Sequence, residues 1–240
     1  MKHPALLSCA ELEQSTVVAN NRMNRERVLW GVNSYQKELV NARSAQAIDI
    51  LAFLTARARG CNTVRWVDLC CGSGNALIQA AEVLQENEIS GKLRLEGVDL
   101  VGMFSAVPNT VADILHLQAG SVFKWLPNGP YDLITCIYGI HYLGDKLGFL
   151  QKAMGWLKPD GQLIVNLEPD NLKDSDGKSL SKWWKDECRR NGWKYHARRH
   201  LLQVAGPQAW PVSWKFLGSD DQAGPNYSGQ PAVNSYYLVE

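Results

Sequence analysis

The 240-residue chain lacks three features that would place it in other classes of protein. It has no apolar run of about 18 residues, which is the length that a membrane-spanning helix needs. Its formal net charge is only +1, so its charge does not indicate a nucleic acid or an anionic membrane as partner. Its six cysteines form no C-x-x-C pair and no zinc-like spacing with histidine, which favours reduced thiols in a cytoplasmic protein without a metal site.

The most informative stretch comprises residues 67–76, with the sequence VDLCCGSGNA. An apolar run precedes the glycines, and residues 75–86 carry apolar side chains at helical spacing, so we expect a strand, a glycine turn and a helix. In this geometry backbone N–H groups approach a nucleotide-type cofactor closely, and Gly72 and Gly74 leave the space for it. Asp68 adds a carboxylate at the carboxyl end of the strand, where ligands of open α/β sheets bind.

Two better-known glycine loops are incomplete in this stretch. A dinucleotide fingerprint requires a third small residue, and Leu77 occupies that position. A phosphate-binding loop requires Gly-Lys-Ser/Thr after the turn, and the sequence continues with Asn75 instead. A nicotinamide-dependent oxidoreductase is therefore disfavoured, although the residues leave it open as an alternative.

The pattern Asp68-x-x-Cys71-Gly72-x-Gly74 resembles the first motif of class I methyltransferases that use S-adenosylmethionine. Three further blocks follow in the order typical of that family. Residues 92–100 read as a second strand ending in an acid, and residues 131–143 read as an aromatic-Asp start, an apolar strand and a His-aromatic-Leu loop. Residues 157–166 then hold a Leu-Lys-Pro-Asp-Gly turn that enters a strand. The four blocks together resemble the small-molecule type of this family.

The resemblance implies an α/β fold with a Rossmann-like, seven-stranded, mostly parallel sheet flanked by helices. Residues 1–60 would form an N-terminal helical cap, with helices over 24–58 interrupted near Asn33-Ser34, and residues 61–240 would form the methyltransferase core. We expect strands at 193–204 and 234–239 to be the antiparallel pair that closes the sheet. Between them, the composition of 205–232 predicts a long irregular insertion in an aromatic-rich C-terminal region.

The resemblance also implies a site for the methyl donor. Asp99 would accept hydrogen bonds from both ribose hydroxyls, because an ionised aspartate is acceptor-only. Many members of the family carry an acid after the glycine that corresponds to Gly120. Here Ser121 replaces that acid, so its hydroxyl or the Val122 backbone would contact the adenine. The expected cofactor-binding residues are Asp68, Cys70, Gly72, Ser73, Gly74, Asp99, Leu100, Ser121, Val122 and Cys136.

Candidate catalytic residues follow the apolar strand at 133–137. His141 is the candidate base, since its reference pKa of about 6.5 suits a proton acceptor near neutral pH, and Tyr138 would orient the methyl acceptor. The expected substrate-binding residues are Trp30, Tyr35, Tyr142 and Trp183, with Asn33 as a further lid candidate. Packing in the core is the alternative for these aromatic side chains. The basic cluster Lys194, His196, Arg198, Arg199 and His200 is interpreted as a solvated strand face rather than an anion site.

These features predict methyl transfer from S-adenosylmethionine to an O- or N-nucleophile of a small metabolite or natural product, with S-adenosylhomocysteine as the product. The acceptor would attack in line in a closed pocket. Motifs of DNA-, arginine- and catechol-type methyltransferases are absent from the expected positions, which leaves a small-molecule acceptor. Nucleic acid, membrane and metal are not expected partners. A homodimer is left open. The alternative is a non-catalytic partner or regulatory subunit that binds S-adenosylmethionine.

Overall fold

The computed structural model describes residues 5–15, 18, 26–31, 34–40, 48–60, 63–86, 89–211, 213–227 and 229–239. The predicted lid residue Asn33 lies outside these ranges, as does Cys61. The chain divides into two compact units, which are described separately below: the first unit is Arg22–Ile137, and the second unit combines Met1–Asn21 with Tyr138–Glu240. Within the described ranges, no helix is long and apolar enough to cross a membrane.

The helices of the described residues are α1 (Cys9–Leu12), α2 (Tyr35–Val40), α3 (Ile50–Gly60), α4 (Asn75–Gln85), α5 (Lys146–Gly155) and α6 (Ser181–Arg190). The strands are β1 (Val64–Leu69), β2 (Leu93–Asp99), β3 (Leu115–Ala119), β4 (Tyr131–Cys136), β5 (Leu157–Asn166), β6 (Leu172–Lys173), β7 (Lys194–His196), β8 (Leu201–Ala205), β9 (Trp214–Asp220) and β10 (Asn234–Val239).

Seven of these strands form one sheet in the order β3-β2-β1-β4-β5-β8-β7. Within the first unit, β1 pairs in parallel with β2 and with β4, and β2 pairs in parallel with β3. Every residue of β4 is buried, as its near-continuous apolar run predicts for a central parallel strand. Within the second unit, β8 pairs antiparallel with both β5 and β7. The predicted Rossmann-like, mostly parallel sheet of seven strands is therefore confirmed.

The predicted role of residues 234–239 in closing this sheet is wrong. Strand β10 pairs antiparallel with β9 and in parallel with β6, in a separate three-stranded sheet. The segment predicted as one strand, 193–204, instead supplies both antiparallel strands, because the turn Ala197–Arg199 and His200 reverse the chain between β7 and β8. The predicted irregular insertion at 205–232 likewise contains a strand, β9.

Part of the helix predicted over residues 24–58 is not formed. The described residues 26–31 are not helical, and Val28 forms an isolated β-bridge with Ser34. The carbonyl oxygen of Val28 accepts a hydrogen bond from the backbone N–H of Tyr35, and that of Leu29 accepts one from Gln36. These carbonyl groups are therefore engaged across a loop, and α2 follows at Tyr35.

The contact between α4 and β2 explains why Leu77 is tolerated where a dinucleotide fingerprint has a third small residue. In that fingerprint the small residue allows the helix to pack closely on the sheet. Here the space comes from the strand: a Cβ built on Gly97 would lie 2.6 Å from Leu77 and 2.6 Å from Leu117. A glycine on β2 thus replaces the small residue on the helix.

Candidate functional site

The glycine loop of the first unit joins β1 to α4 through residues in left-handed conformations. Gly72 and Gly74 have φ values of 62° and 77°, and Cys70 has a φ of 60° although it is not glycine. A non-glycine residue in this region costs of order 1–3 kcal/mol, so the surrounding structure must hold Cys70 in place. Gly74 is the N-cap of α4 and supplies no side-chain cap. The backbone N–H groups of the first turn are therefore left for water or for an anionic group of a ligand.

Asp99 ends β2 and contacts this loop directly. Its Oδ2 accepts a hydrogen bond from the backbone N–H of Gly72 at 2.9 Å, and its Oδ1 accepts one from Val101 at 3.1 Å. An ionised carboxylate is acceptor-only and can accept several hydrogen bonds at once, as the two hydroxyls of a diol require. The side chain is only half-buried. This arrangement fits the ribose of an adenosine cofactor.

Asp68, by contrast, is enclosed by the protein's own hydroxyl groups. Tyr35 donates to its Oδ2 at 2.6 Å, and Thr135 donates to its Oδ1 at 2.6 Å. The indole N–H of Trp66 in turn donates to the Thr135 hydroxyl at 2.9 Å. Burial raises the pKa of Asp68 to about 7, and this effect outweighs the hydrogen bonds from Thr135 and Tyr35, which lower the pKa. Asp68 therefore holds α2 against β1 and β4 below the glycine loop.

The remaining predicted donor-site residues lie at the ends of the parallel strands in the same unit. The backbone N–H of Gly120, after β3, donates to the carbonyl oxygen of Asp99 at 2.9 Å. The hydroxyl of Ser121, the residue that replaces the expected acid, accepts a hydrogen bond from the N–H of Phe123 at 3.2 Å. Val122 is buried, as are Ser73 and Cys136. A hydrogen bond to Cys136, together with burial, raises the pKa of the Cys70 thiol well above its usual range.

The predicted catalytic residues lie in the second unit, where they form part of a cluster that we call the His–Tyr cluster: Tyr138, His141, His200 and Tyr227. The ring of His200 stacks on Tyr227, with centroids 3.9 Å apart and planes at 15°. His141 presents an edge to Tyr227 at 5.6 Å, and Tyr138 lies 6.0 Å from Tyr227 and 6.1 Å from His141. Tyr138 also has a left-handed backbone, with a φ of 61°.

Two members of this cluster were not identified from the sequence. Tyr227 lies in the segment 205–232 that is predicted to be irregular, and no periodic pattern there indicates which side chains face a site. The sequence interpretation places the whole basic cluster, including His200, on a solvated strand face. This interpretation holds for Lys194, His196 and Arg198, since all three are exposed. It does not hold for His200, whose side chain is only 22% exposed. The left-handed φ of 51° at His200, which redirects the chain, has no signal in the sequence.

Lys146 and Val233 fix the loop that carries His141. The buried ammonium of Lys146 donates to the carbonyl oxygens of Leu143 and Val233, each at 2.8 Å, and to the Ser235 hydroxyl at 2.9 Å. Burial lowers the pKa of Lys146 to about 7. The N–H of Val233 donates to the carbonyl oxygen of His141 at 2.9 Å, and the His141 side chain is fully buried.

The predicted substrate-binding residues occupy varied environments. Tyr35 is buried against Asp68, Trp30 is 46% exposed, and Tyr142 and Trp183 are half-buried. The tryptophans near Trp183 pack chiefly on one another, since Trp184 contacts Trp193 and Trp210, and Trp210 contacts Trp214. This packing supports the alternative, a structural role, for those four indole rings. A role in substrate binding stays a prediction for Trp30, Tyr35, Tyr142 and Trp183.

Sequence comparison identifies relatives of this chain. The model of a family described as a methyltransferase domain matches residues 39–206. The chain is also 29% identical over 144 residues to a trans-aconitate 2-methyltransferase from Rhizobium leguminosarum bv. trifolii (strain WSM2304), covering 60% of this chain and 51% of that protein. The chain therefore spans about half the length of this curated relative.

Two solved structures are similar over about half of the chain. One is an amino pentose methyltransferase from Micromonospora echinaspora with S-adenosylmethionine bound, involved in calicheamicin biosynthesis, with 21% identity, 49% coverage of each chain and a TM-score of 0.36. The other is a sugar N-methyltransferase from Streptoalloteichus sp. ATCC 53650, with 18% identity, 49% and 47% coverage and a TM-score of 0.35. At these TM-scores neither similarity bears on the acceptor of this chain.

Proposed function

The chain belongs to the methyltransferase domain family, whose class I members use S-adenosylmethionine, and we propose that it methylates an O- or N-nucleophile of a small metabolite or natural product. The observation that carries the proposal is the contact of Asp99 with the glycine loop. The Asp99 carboxylate accepts the N–H of Gly72 at 2.9 Å, which holds it at the end of β2 beside the glycine turn. An ionised carboxylate in this position is acceptor-only, which suits the two hydroxyl donors of a ribose.

The residues of the first unit would hold the cofactor. Asp99 would bind the ribose, the uncapped first turn of α4 after Gly74 would bind a carboxylate, and Ser121 with Val122 would contact the adenine. When bound, S-adenosylmethionine supplies an electrophilic methyl group on a positively charged sulfur. Asp68 would act through the loop it supports, because both of its oxygens already accept hydrogen bonds from Tyr35 and Thr135.

The His–Tyr cluster would bind the methyl acceptor. Its tyrosine rings provide apolar faces with polar edges, which suits a small ring-containing acceptor with a hydroxyl or amino group. Tyr138 would orient the acceptor. His141, whose side chain is fully buried, would line the cluster beside Tyr227.

The test is to incubate the purified chain with methyl-labelled S-adenosylmethionine and a panel of phenols, amino sugars and trans-aconitate. We expect formation of S-adenosylhomocysteine and label transfer to a hydroxyl or amine. S-adenosylhomocysteine should also raise the thermal unfolding temperature, since a ligand that binds only the native state stabilises it. Stabilisation by NAD(P) alone would contradict the proposal. Binding without turnover across the panel would favour the non-catalytic partner.

A further inference from the structure

The structure pairs His200 with a carboxylate that no sequence motif connects to it. The Nδ1 atom of His200 lies 3.3 Å from Oε2 of Glu168. The hydroxyl oxygen of Tyr195 lies 3.5 Å from the same Nδ1 atom. All three residues lie within the second unit, and His200 stacks on Tyr227 of the His–Tyr cluster.

The hydrogen bonds around Nδ1 determine which nitrogen carries the proton. Tyr195 has one hydroxyl proton, and it donates that proton to the carbonyl oxygen of Leu167 at 3.0 Å. Toward His200 the Tyr195 oxygen therefore acts as an acceptor, as does an ionised Glu168. Two acceptors that face Nδ1 require a proton on Nδ1. In the neutral ring the lone pair then lies on Nε2.

The backbone places this pair at the carboxyl end of β5, where ligands of such sheets bind. Glu168 follows the last residue of β5 by two positions, and His200 directly precedes β8. Asn166 and Leu201 pair in the antiparallel ladder, and the N–H of Leu167 donates to the carbonyl oxygen of His200 at 2.6 Å. The carboxylate and the imidazole are thus held on adjoining, hydrogen-bonded segments.

From this geometry we propose that His200 is the general base that removes the proton from the methyl acceptor, with Glu168 and Tyr195 as positioning residues that set its tautomer. The proposal rests on the proposed methyl transfer. It assigns to His200 the role that the sequence suggested for His141. His141 is fully buried, whereas the side chain of His200 retains 22% exposure and so can contact an acceptor.

The charges around His200 agree with this role. Burial lowers the pKa of His200, with the positive charge of Lys185 adding to the lowering and the negative charge of Asp170 opposing it. A lowered pKa keeps the imidazole neutral, and therefore able to accept a proton, near neutral pH. The Glu168 carboxylate lies 3.3 Å from Nδ1, so its negative charge compensates the imidazolium once it forms.

The proposed step also defines the class of acceptor. An acceptor O–H or N–H gives its proton to Nε2 of His200 while its lone pair forms the new bond to the methyl carbon. The electron pair of the sulfur–methyl bond stays on sulfur. A carboxylate acceptor has no proton to lose and needs no base. The pair therefore indicates a hydroxyl or amine acceptor rather than a carboxylic acid.

The tautomer is tested first, because its measurement needs no acceptor. Ring ¹⁵N signals of the labelled protein, saturated with S-adenosylhomocysteine, are recorded at pH 8 and assigned with His200→Gln. We expect a protonated Nδ1 and an unprotonated Nε2 in His200, and a larger Nε2-protonated fraction in Glu168→Gln. A His200 ring with an unprotonated Nδ1 would overturn the proposal, because its lone pair would then face Glu168 rather than the acceptor.

The role of His200 in the reaction is tested with the hydroxyl or amine compound that the panel identifies. We expect His200→Gln to lower kcat about 10²- to 10⁴-fold, with S-adenosylhomocysteine affinity and thermal unfolding retained. Glu168→Gln should lower kcat less and shift the acid limb of the pH–rate profile. The matched control is His196→Gln, because His196 is an exposed histidine of the same segment and should leave the rate unchanged.

The outcomes separate failure of the base assignment from failure of the proposed function. A His200→Gln variant that retains activity within about threefold of the wild type would overturn the proposal, and a large loss in His141→Gln alone would return the base to His141. If the wild type binds S-adenosylhomocysteine and methylates no member of the panel, the proposed function fails. The nitrogen measurement then still decides whether His200 has the tautomer of a base.

Discussion

The hydroxyl of Tyr35 donates a 2.6 Å hydrogen bond to the buried carboxylate of Asp68. This bond joins the first residue of α2 to the strand that precedes the glycine loop. Thr135 on β4 donates to the other carboxylate oxygen at 2.6 Å. The acid of the first motif is thus a structural centre of the first unit, whereas Asp99 is the half-buried carboxylate that contacts the glycine loop.

Replacing Tyr35 with Phe removes one of these donors without changing the ring. Hydrogen bonds to charged groups contribute about 1.5–3 kcal/mol, so we expect a loss of that order in the free energy of unfolding at pH 8. The bond to Tyr35 lowers the pKa of Asp68, which means that it favours the ionised form. The loss should therefore be smaller at pH 5. Urea denaturation at both pH values measures it, and equal losses would contradict the account.

The pH dependence of stability reports on Asp68 itself. Its pKa in the folded chain is about 7, above the usual value of 3.8, so the folded state keeps a proton that the unfolded state has released. Its contribution to stability is therefore fully present below about pH 4 and is lost as the pH rises through 7.

Comparison of the wild type with Asp68→Asn isolates this contribution. The difference in unfolding free energy, wild type minus variant, should fall by a few kcal/mol between pH 4 and pH 8. The matched control is Asp113→Asn, which replaces an exposed aspartate. Its difference from the wild type in unfolding free energy should stay the same between pH 4 and pH 8. A difference that is flat or rises with pH would show that Asp68 ionises freely in the folded chain.

The local part of this architecture was predictable from the sequence. Runs of apolar residues at 64–69 and 131–136, the glycines at 72 and 74 and the acid at the end of β2 are signals within short windows. They were sufficient to predict the parallel strands of the first unit and the position of Asp99. The contact of Tyr35 with Asp68 spans 33 residues and carries no such signal, since an aromatic residue at helical spacing also fits a core position.

The non-local part was not predictable. The residues of a short strand such as β10 do not specify its partner, and here it pairs with β9 and β6 rather than with the large sheet. The His–Tyr cluster likewise depends on the turn at His200 and on Tyr227, which lies between glycines and prolines without a regular pattern. These contacts depend on tertiary packing, which short-range patterns do not encode.

The Asp99→Ala variant tests the cofactor site. We expect it to abolish the thermal shift caused by S-adenosylhomocysteine, because the ribose hydroxyls lose their acceptor. The N–H groups of Gly72 and Val101 lose their partner as well, so a destabilisation of about 1 kcal/mol should accompany the change. Asp113→Ala is the control and should retain the full shift. A retained shift in Asp99→Ala, with native far-UV circular dichroism, would remove Asp99 from the site.

Lys146 provides a second pH-dependent prediction, with the opposite sign. Burial holds its pKa at about 7 in the folded chain, below the usual 10.5, so the unfolded state binds the extra proton above pH 7. The unfolding free energy of the wild type relative to Lys146→Met should therefore rise between pH 6.5 and pH 8.5. Lys152→Met, an exposed lysine on the same helix, should show no such rise. A falling difference for Lys146 would contradict the buried-lysine interpretation.

Isothermal titration with S-adenosylmethionine and S-adenosylhomocysteine tests the central claim most directly. The account predicts that both bind the wild-type chain at one shared site, so that saturation with one removes the heat of binding of the other, and that Asp99→Ala binds neither. Absence of binding by both compounds to the folded wild-type chain would contradict the claim that this chain is an S-adenosylmethionine-dependent methyltransferase.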